Sequence, residues 1–225
     1  MTSSILEKFY NNEQNNYHEI GIDEAGRGPL FGRVYSAAVI LPRNDFNFSA
    51  MKDSKKFHSI KKINEVAEYI QQNAISYGIG FEDEKTIDRV NILQATQMAM
   101  HKAISEAKSK INSETKYLLL VDGNYFRPQI KMDPNTGTMV HEEYQCIEGG
   151  DNKYCSIAAA SILAKVYRDN YIKELCKNDE SLSEKYDLDK NKGYGTKKHM
   201  DGLKKYGSTD MHRLSFAPCK KTNRT

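Results

Sequence analysis

The 225-residue chain has no tryptophan, 5 prolines and 4 cysteines. Cys146, Cys155, Cys176 and Cys219 form no C-x-x-C pair and no zinc-like spacing, so neither a disulfide framework nor a zinc site is expected. They read as reduced cytosolic thiols packed as small apolar side chains. No apolar run approaches the roughly 18 residues of a membrane helix. The first 20 residues are polar and Asn-rich and lack the basic start and apolar stretch of a secretory signal. There is no internal repeat, no low-complexity block and no G-x-S-x-G elbow, and the six histidines lack a nucleophile partner. What remains, with 39% apolar and 28% charged residues, is an ordinary globular chain of one domain with room for a short appendage.

Neither sign of charge dominates: 33 Lys and Arg face 30 Asp and Glu, a net +3. The distribution is uneven. Residues 192–225 hold nine bases and two acids, which is +7 and leaves −4 on the first 191 residues. A second basic knot, Lys52, Lys55, Lys56, Lys61 and Lys62, is relieved only by Asp53. A protein holding a polyanion beside a carboxylate site would carry such a split. On charge alone, a solvated face and a loose tail explain it equally well.

The pattern of elements is α/β. Ile20-Gly-Ile-Asp23 reads as a strand end followed by a glycine-rich turn, and Val34 to Leu41 as a second apolar strand. Ile60, Ile63, Val66, Ala67 and Ile70 recur at helical spacing, and a short strand is expected over 75–81. One helical stretch is expected over 86–108, then a buried strand, Tyr117 to Val121, ending in Asp122-Gly123-Asn124. Residues 125–150 suit an extended hairpin or loop, residues 156–175 a third helix, and the chain past Asn178 a small helical appendage. The expected organisation is a polar segment at 1–18, a domain over 19–178 and a basic helical extension and tail over 179–225. The termini, 1–18 and 219–225, are expected to be partly disordered.

Asp23 and Glu24 directly follow an apolar strand, where buried carboxylates are costly unless paired or metal-bound. Neighbours on a regular strand face opposite ways, so both serve one site only where the strand ends or distorts. Asp122 repeats the pattern of apolar run, Asp and Gly. Asp151 follows Gly149-Gly150 and precedes a helix, where an N-cap role is an equal reading. Four acids with no His or Cys beside them form an oxygen-rich set suited to Mg²⁺ or Mn²⁺. With basic clusters nearby, they suggest metal-assisted chemistry on a phosphodiester. Gly26-Arg27-Gly28 is either a simple tight turn or a place where backbone touches a sugar or phosphate.

Gly21-Ile-Asp-Glu-Ala-Gly-Arg-Gly-Pro29 resembles the opening signature of the ribonuclease HII (type 2 ribonuclease H) family. The resemblance continues in order through Asp53-Ser-Lys-Lys56, Ile87 to Ile92, Val121-Asp-Gly123, Gly150-Asp151, Ser156 to Lys165, Arg168-Asp169, Lys192-Gly-Tyr194, His199, His212-Arg213 and Ser215 to Pro218. It spans about residues 20 to 218.

That resemblance implies an RNase H-like fold, a central mixed sheet flanked by helices, with a C-terminal helical extension. It implies an active site of Asp23, Glu24, Asp122 and Asp151 holding Mg²⁺ or Mn²⁺, two ions in all. The implied substrates are RNA–DNA hybrids and duplex DNA with embedded ribonucleotides, as in ribonucleotide excision repair. Cleavage on the 5′ side would leave a 3′-hydroxyl and a 5′-phosphate. The 2′-hydroxyl would be read by Gly26, Arg27 and Gly28, and Tyr194 would stack on the next sugar. Lys55, Lys56, Asn91, Lys165 and Arg168 would meet phosphates. The competing readings are helix-surface charge for Lys165 and Arg168, a polar helix position for Asn91 and a loop aromatic for Tyr194.

Two departures stand out. The Asp122–Asp151 spacing is longer than in many bacterial members, and Leu214 stands where a second basic residue is common. A ribonuclease HIII-like nuclease is the nearest alternative, but that family carries a long N-terminal domain and lacks the tyrosine. A non-catalytic hybrid-binding subunit would be expected to have lost a carboxylate. A cytoplasmic monomer is expected. No protein partner, such as a replication clamp, is singled out.

Overall fold

A computed structural model describes residues 5–11, 17–111, 115–133 and 136–220. Its centre is a five-stranded mixed sheet in the order β3-β2-β1-β4-β7. The strands are β1 (Tyr17–Ala25), β2 (Val34–Ile40), β3 (Ser76–Glu82), β4 (Lys116–Asp122) and β7 (Glu143–Ile147), while β5 (Lys131–Met132) and β6 (Met139–Val140) form a separate two-stranded hairpin. Strand β2 is antiparallel to both β1 and β3, whereas β4 runs parallel to both β1 and β7.

Alternation along the strands sends side chains to two helical layers. Ala37 and Val39 of β2 pack with α1 (Ile60–Asn73) and α4 (Cys155–Asn178). Ile20, Ile22, Ala38 and Ile40 face the other way, onto α3 (Ile92–Ser109). Helix α4 is the central support, with Ala158, Ala159, Ala160, Ile162, Leu163 and Ala164 all buried. Its small residues and Gly21 of β1 bring backbone against backbone: a β-carbon on Gly21 would lie 2.1 Å from the Ser156 carbonyl carbon.

The short helices α5 (Ser181–Tyr186), α6 (Leu188–Asn191), α7 (Lys197–Tyr206) and α8 (Ala217–Lys220) follow α4. They share a core with Leu30, Phe31 and Ile172, so the C-terminal segment packs directly on the turn after β1.

The structure departs from the sequence expectations in three places. The helical stretch expected over 86–108 is two helices, α2 (Glu84–Val90) and α3, broken at Asn91 with φ 69°. With ψ 164° this is backbone that non-glycine residues rarely adopt, and the Asn91 side chain caps α3 by accepting from the Gln94 N–H. Residues 125–150 supply a hairpin and also the edge strand β7. Part of the N-terminal segment is docked: Glu7 bridges to Tyr154, and the Tyr10 and Asn11 N–H groups donate to the buried Glu19 carboxylate. Residues 1–4, 12–16 and 221–225 of the terminal segments lie outside the described residues.

Candidate active site

The ladders around β1 end unevenly, and this answers how adjacent acids reach one site. Pairing with β4 stops at Ile22–Val121, while pairing with β2 continues to Ala25–Tyr35. Asp23 and Glu24 therefore project past the end of the β1–β4 ladder, beside Asp122, the last residue of β4. The result is a cleft of about 410 Å³ whose lining includes Asp23, Glu24, Asp122, Lys55, Ser161 and Tyr194.

Asp23 is buried. Its Oδ1 accepts the Glu24 N–H at 2.7 Å, and its backbone carbonyl accepts the Ser36 hydroxyl. Burial pushes its carboxyl well above the ordinary carboxylate range, reinforced by Glu24 and Asp122, while a Ser161 hydrogen bond works against the rise. Glu24 is also raised by burial, with Arg27 at 3.3 Å opposing. Asp122 Oδ1 accepts the Gly150 N–H at 2.6 Å, tying β4 to the turn that carries Asp151. Asp151 is raised by burial and by the charges of Asp53 and Asp122, and Lys55 at 3.9 Å offsets part of this.

The N-cap alternative for Asp151 fails. It sits inside a 3₁₀ turn, Gly150–Asn152, while Tyr154 stands at the N-cap of α4. Desolvation works to lower the Lys55 ammonium, yet Asp151, Asp53, Asp23 and Asp122 hold it above its ordinary value.

The chemistry of this donor set fits a hard divalent cation. It consists of carboxylate oxygens, three of them destabilised as anions, and a cation relieves that repulsion. Among the described residues no three His, Cys, Asp or Glu side chains are gathered closely enough, as they stand, to hold a metal ion. The carboxylates are engaged instead with N–H groups and cations around the cleft.

The other singled-out residues divide. Gly26, Arg27, Gly28, Lys55, Lys165, Arg168 and Tyr194 line the cleft. Lys56 lies beside it, donating to Asn152 Oδ1. Asn91 caps α3 and is not among the lining residues. Lys165 pairs with Asp169 at 2.8 Å, one turn along α4. Tyr194 is half exposed, and a β-carbon on Gly28 would touch its ring at 3.5 Å.

Arg168 is no surface charge. It is 2% exposed, donates to the Lys192 carbonyl at 2.5 Å and lies 5.6 Å from the Tyr194 ring centre. Arg213, counted above as part of a basic tail, is fully buried.

Two groups near the acids were given no role from sequence. Ser161, bonded to Ser54 at 2.9 Å, supports Asp23, and Asn152 bridges Asp53 and Asp151. The only available signal was the position of Ser161 within a matched motif and of Asn152 directly after one.

Residues 20–219 match the protein family described as Ribonuclease HII. The chain belongs to the ribonuclease HII family. It is 46% identical over 214 residues to a ribonuclease HII of Caldanaerobacter subterraneus subsp. tengcongensis, covering 93% of this chain and 79% of that one. It is 42% identical over 200 residues to a ribonuclease HII of Bacteroides fragilis, covering 88% of each. In fold it is similar to ribonuclease H2 from Pyrococcus horikoshii OT3, with TM-score 0.65, 21% identity and coverage of 91% of this chain and 96% of that one. It is likewise similar to Bst-RNase HIII in complex with Mn²⁺, with TM-score 0.64, 20% identity and coverage of 93% and 70%. Membership makes the chain a metal-dependent hydrolase of phosphodiester bonds, a ribonuclease H acting on RNA–DNA hybrids. No helix among the described residues is long and apolar enough to cross a membrane.

Proposed function

We propose that the cleft cuts the phosphodiester on the 5′ side of a ribonucleotide, in RNA–DNA hybrids and in duplex DNA with single embedded ribonucleotides. The products are a 3′-hydroxyl and a 5′-phosphate. The observation carrying this reading is the meeting, in one cleft, of the raised-pKa carboxylates Asp23 and Glu24 at the end of β1 with Asp122 at the end of β4, the Gly26–Gly28 turn and Tyr194.

Asp23, Glu24, Asp122 and Asp151 would hold the divalent cations, Mg²⁺ or Mn²⁺ and two in number. When bound, such ions polarise the phosphodiester and lower the pKa of water. Ser161 and the Glu24 N–H keep the Asp23 carboxylate aimed into the cleft. Lys55, beside Asp151 and largely exposed, is placed to meet a backbone phosphate. Lys56 and Lys165 extend that cationic rim.

The 2′-hydroxyl is the group that separates RNA from DNA at a matched base. The backbone of Gly26, Arg27 and Gly28 reads it, and the Tyr194 ring stacks on the adjoining sugar. Asn91, spent on its helix cap, is the weakest of the phosphate contacts.

The test is incubation with duplex DNA carrying one ribonucleotide, with Mg²⁺, Mn²⁺ or EDTA, and mapping of the cut. Metal-dependent cleavage immediately 5′ of the ribonucleotide is expected. Binding without cleavage would make the chain a hybrid-binding subunit, and a cut elsewhere would refute the assigned register.

A further inference from the structure

Arg213 is fully buried, and among the described residues it makes no ion pair within 4.0 Å. Burying an unpaired guanidinium is costly unless its donors are satisfied. Here they are spent on one short stretch of chain. Nη2 donates to the Gly26 carbonyl at 2.7 Å, Nη1 to Arg27 at 3.0 Å and to Pro29 at 2.8 Å, and Nε to Gly32 at 2.8 Å.

Peptide planarity gives those bonds a consequence. Across a trans peptide the C=O of one residue and the N–H of the next point in opposite directions. With the Gly26 and Arg27 carbonyls turned inward to Arg213, the Arg27 and Gly28 N–H groups turn away from it. Among the described residues neither N–H has a hydrogen-bond partner within the protein. The Gly28–Pro29 peptide has no N–H, and the one after it differs: the Pro29 carbonyl binds Arg213, and the Leu30 N–H is taken by the Gly193 carbonyl at 2.8 Å. Two donors are thus left side by side on the stretch that lines the cleft. The cation behind them polarises the same two peptide groups, which strengthens the N–H groups as donors.

We propose that Arg213 is a positioning residue for ribonucleotide recognition: by holding the carbonyls of Gly26 and Arg27 it presents the Arg27 and Gly28 N–H groups to the oxygen that marks a ribose. Only guanidinium has the forked set of donors for four separated carbonyls; a lysine ammonium offers three donors from one point. The Arg213 backbone is itself tied to the turn, its N–H donating to the Leu30 carbonyl at 2.8 Å.

The inference rests on the turn being the ribonucleotide contact, so the test separates the two. Wild type and Arg213→Lys are compared for binding, in EDTA, to an RNA–DNA hybrid and to a DNA duplex of the same sequence. Cleavage at a single ribonucleotide with Mg²⁺ and thermal unfolding complete the comparison. Arg213→Lys is expected to bind DNA duplex within about threefold of wild type, because phosphate contacts dominate that affinity. Its preference for hybrid should shrink, and kcat should fall about 10²-fold with little change in KM, the signature of misplaced reacting groups. A merely structural arginine would lower the unfolding temperature and leave preference and kcat per folded molecule unchanged, which would overturn the proposal.

Should the variant not fold, hydrogen exchange on wild type decides. Leu30 and Gly32 amides as slow as those of β1 support the brace, and exchange at the rate of unstructured peptide overturns it. Wild type that neither prefers hybrid nor cuts would instead refute the proposed function, leaving the brace to be judged by exchange.

Discussion

Replacing Gly21 by alanine should damage both stability and catalysis, for one geometric reason. The added β-carbon would stand 2.1 Å from the carbonyl carbon of Ser156, 2.3 Å from its oxygen and 2.5 Å from the Ile157 nitrogen. These are backbone atoms of the first turn of α4, not flexible side-chain tips. Ordinary contact begins near 3.4 Å, so α4 must withdraw from β1 by roughly 1 Å in an interior that is already close-packed. Such overpacking costs about 3 kcal/mol. In a chain of this size that lowers Tm by about 6–12 °C. The withdrawal also carries Ser161 away from Asp23, and a displacement of that size costs about 10²-fold in rate. Gly78→Ala is the comparison, because its β-carbon would meet the Ala103 carbonyl oxygen of α3 at 2.1 Å, on the other face of the sheet. It should lose similar stability while keeping its activity per folded molecule. Calorimetry and single-turnover cleavage decide. An unchanged Tm for Gly21→Ala, or equal loss of activity in both variants, would refute the reasoning.

Asp23, Glu24 and Asp151 all titrate above their ordinary range through burial. From about pH 4 upward the folded chain therefore retains protons that the unfolded chain has lost, and metal-free stability falls as pH rises. Asp23→Asn should flatten that fall in EDTA, raise Tm at pH 7 and abolish cleavage without abolishing hybrid binding. Burial, then the neighbouring His199, holds His212 down to about 3. Stability from this residue is lost as pH drops below about 6.5, by up to about 1.4 kcal/mol per pH unit. Urea unfolding of Asp23→Asn with and without His212→Gln between pH 7 and 4 should show a shallower slope in the double variant. Tyr194→Ala should slow cleavage at a single embedded ribonucleotide more than cleavage of a continuous hybrid, and uniform loss would contradict the stacking role.

The strands and the acids at their ends were legible because both rest on local rules. An apolar run ending in Asp says where burial stops, and glycine says where the chain turns. What escaped depended on contacts distant in sequence. The helical period continues across Asn91, so the break there left no mark in the apolar pattern. Arg168 read as a phosphate contact or a surface charge, and Arg213 as part of a basic tail, because nothing near them announces that backbone carbonyls from residues 26–32 and 192 take up their donors. The polar stretch 125–150 concealed β7 because that edge strand is only half buried. His199 and His212 were motif letters without a role. In the structure the Thr209 N–H donates to His212 Nδ1, which puts the His212 proton on Nε2, facing His199 Nε2 at 3.0 Å. His199 then carries its own proton on Nδ1, toward the Tyr194 carbonyl. A row of single protons in fixed order cannot be read from spacing.

The link from Arg213 to Gly26 spans 187 residues of chain, which gives assembly an order. Strands β1 and β4, the Asp151 turn and α4 can come together while the last residues are still being synthesised. The turn stays unbraced until residue 213 has emerged and folded back. Ending the chain just before residue 213 would therefore leave the carboxylates assembled and remove the brace of the turn. Loss of substrate choice, with the carboxylate centre retained, is the failure this architecture is built to show first.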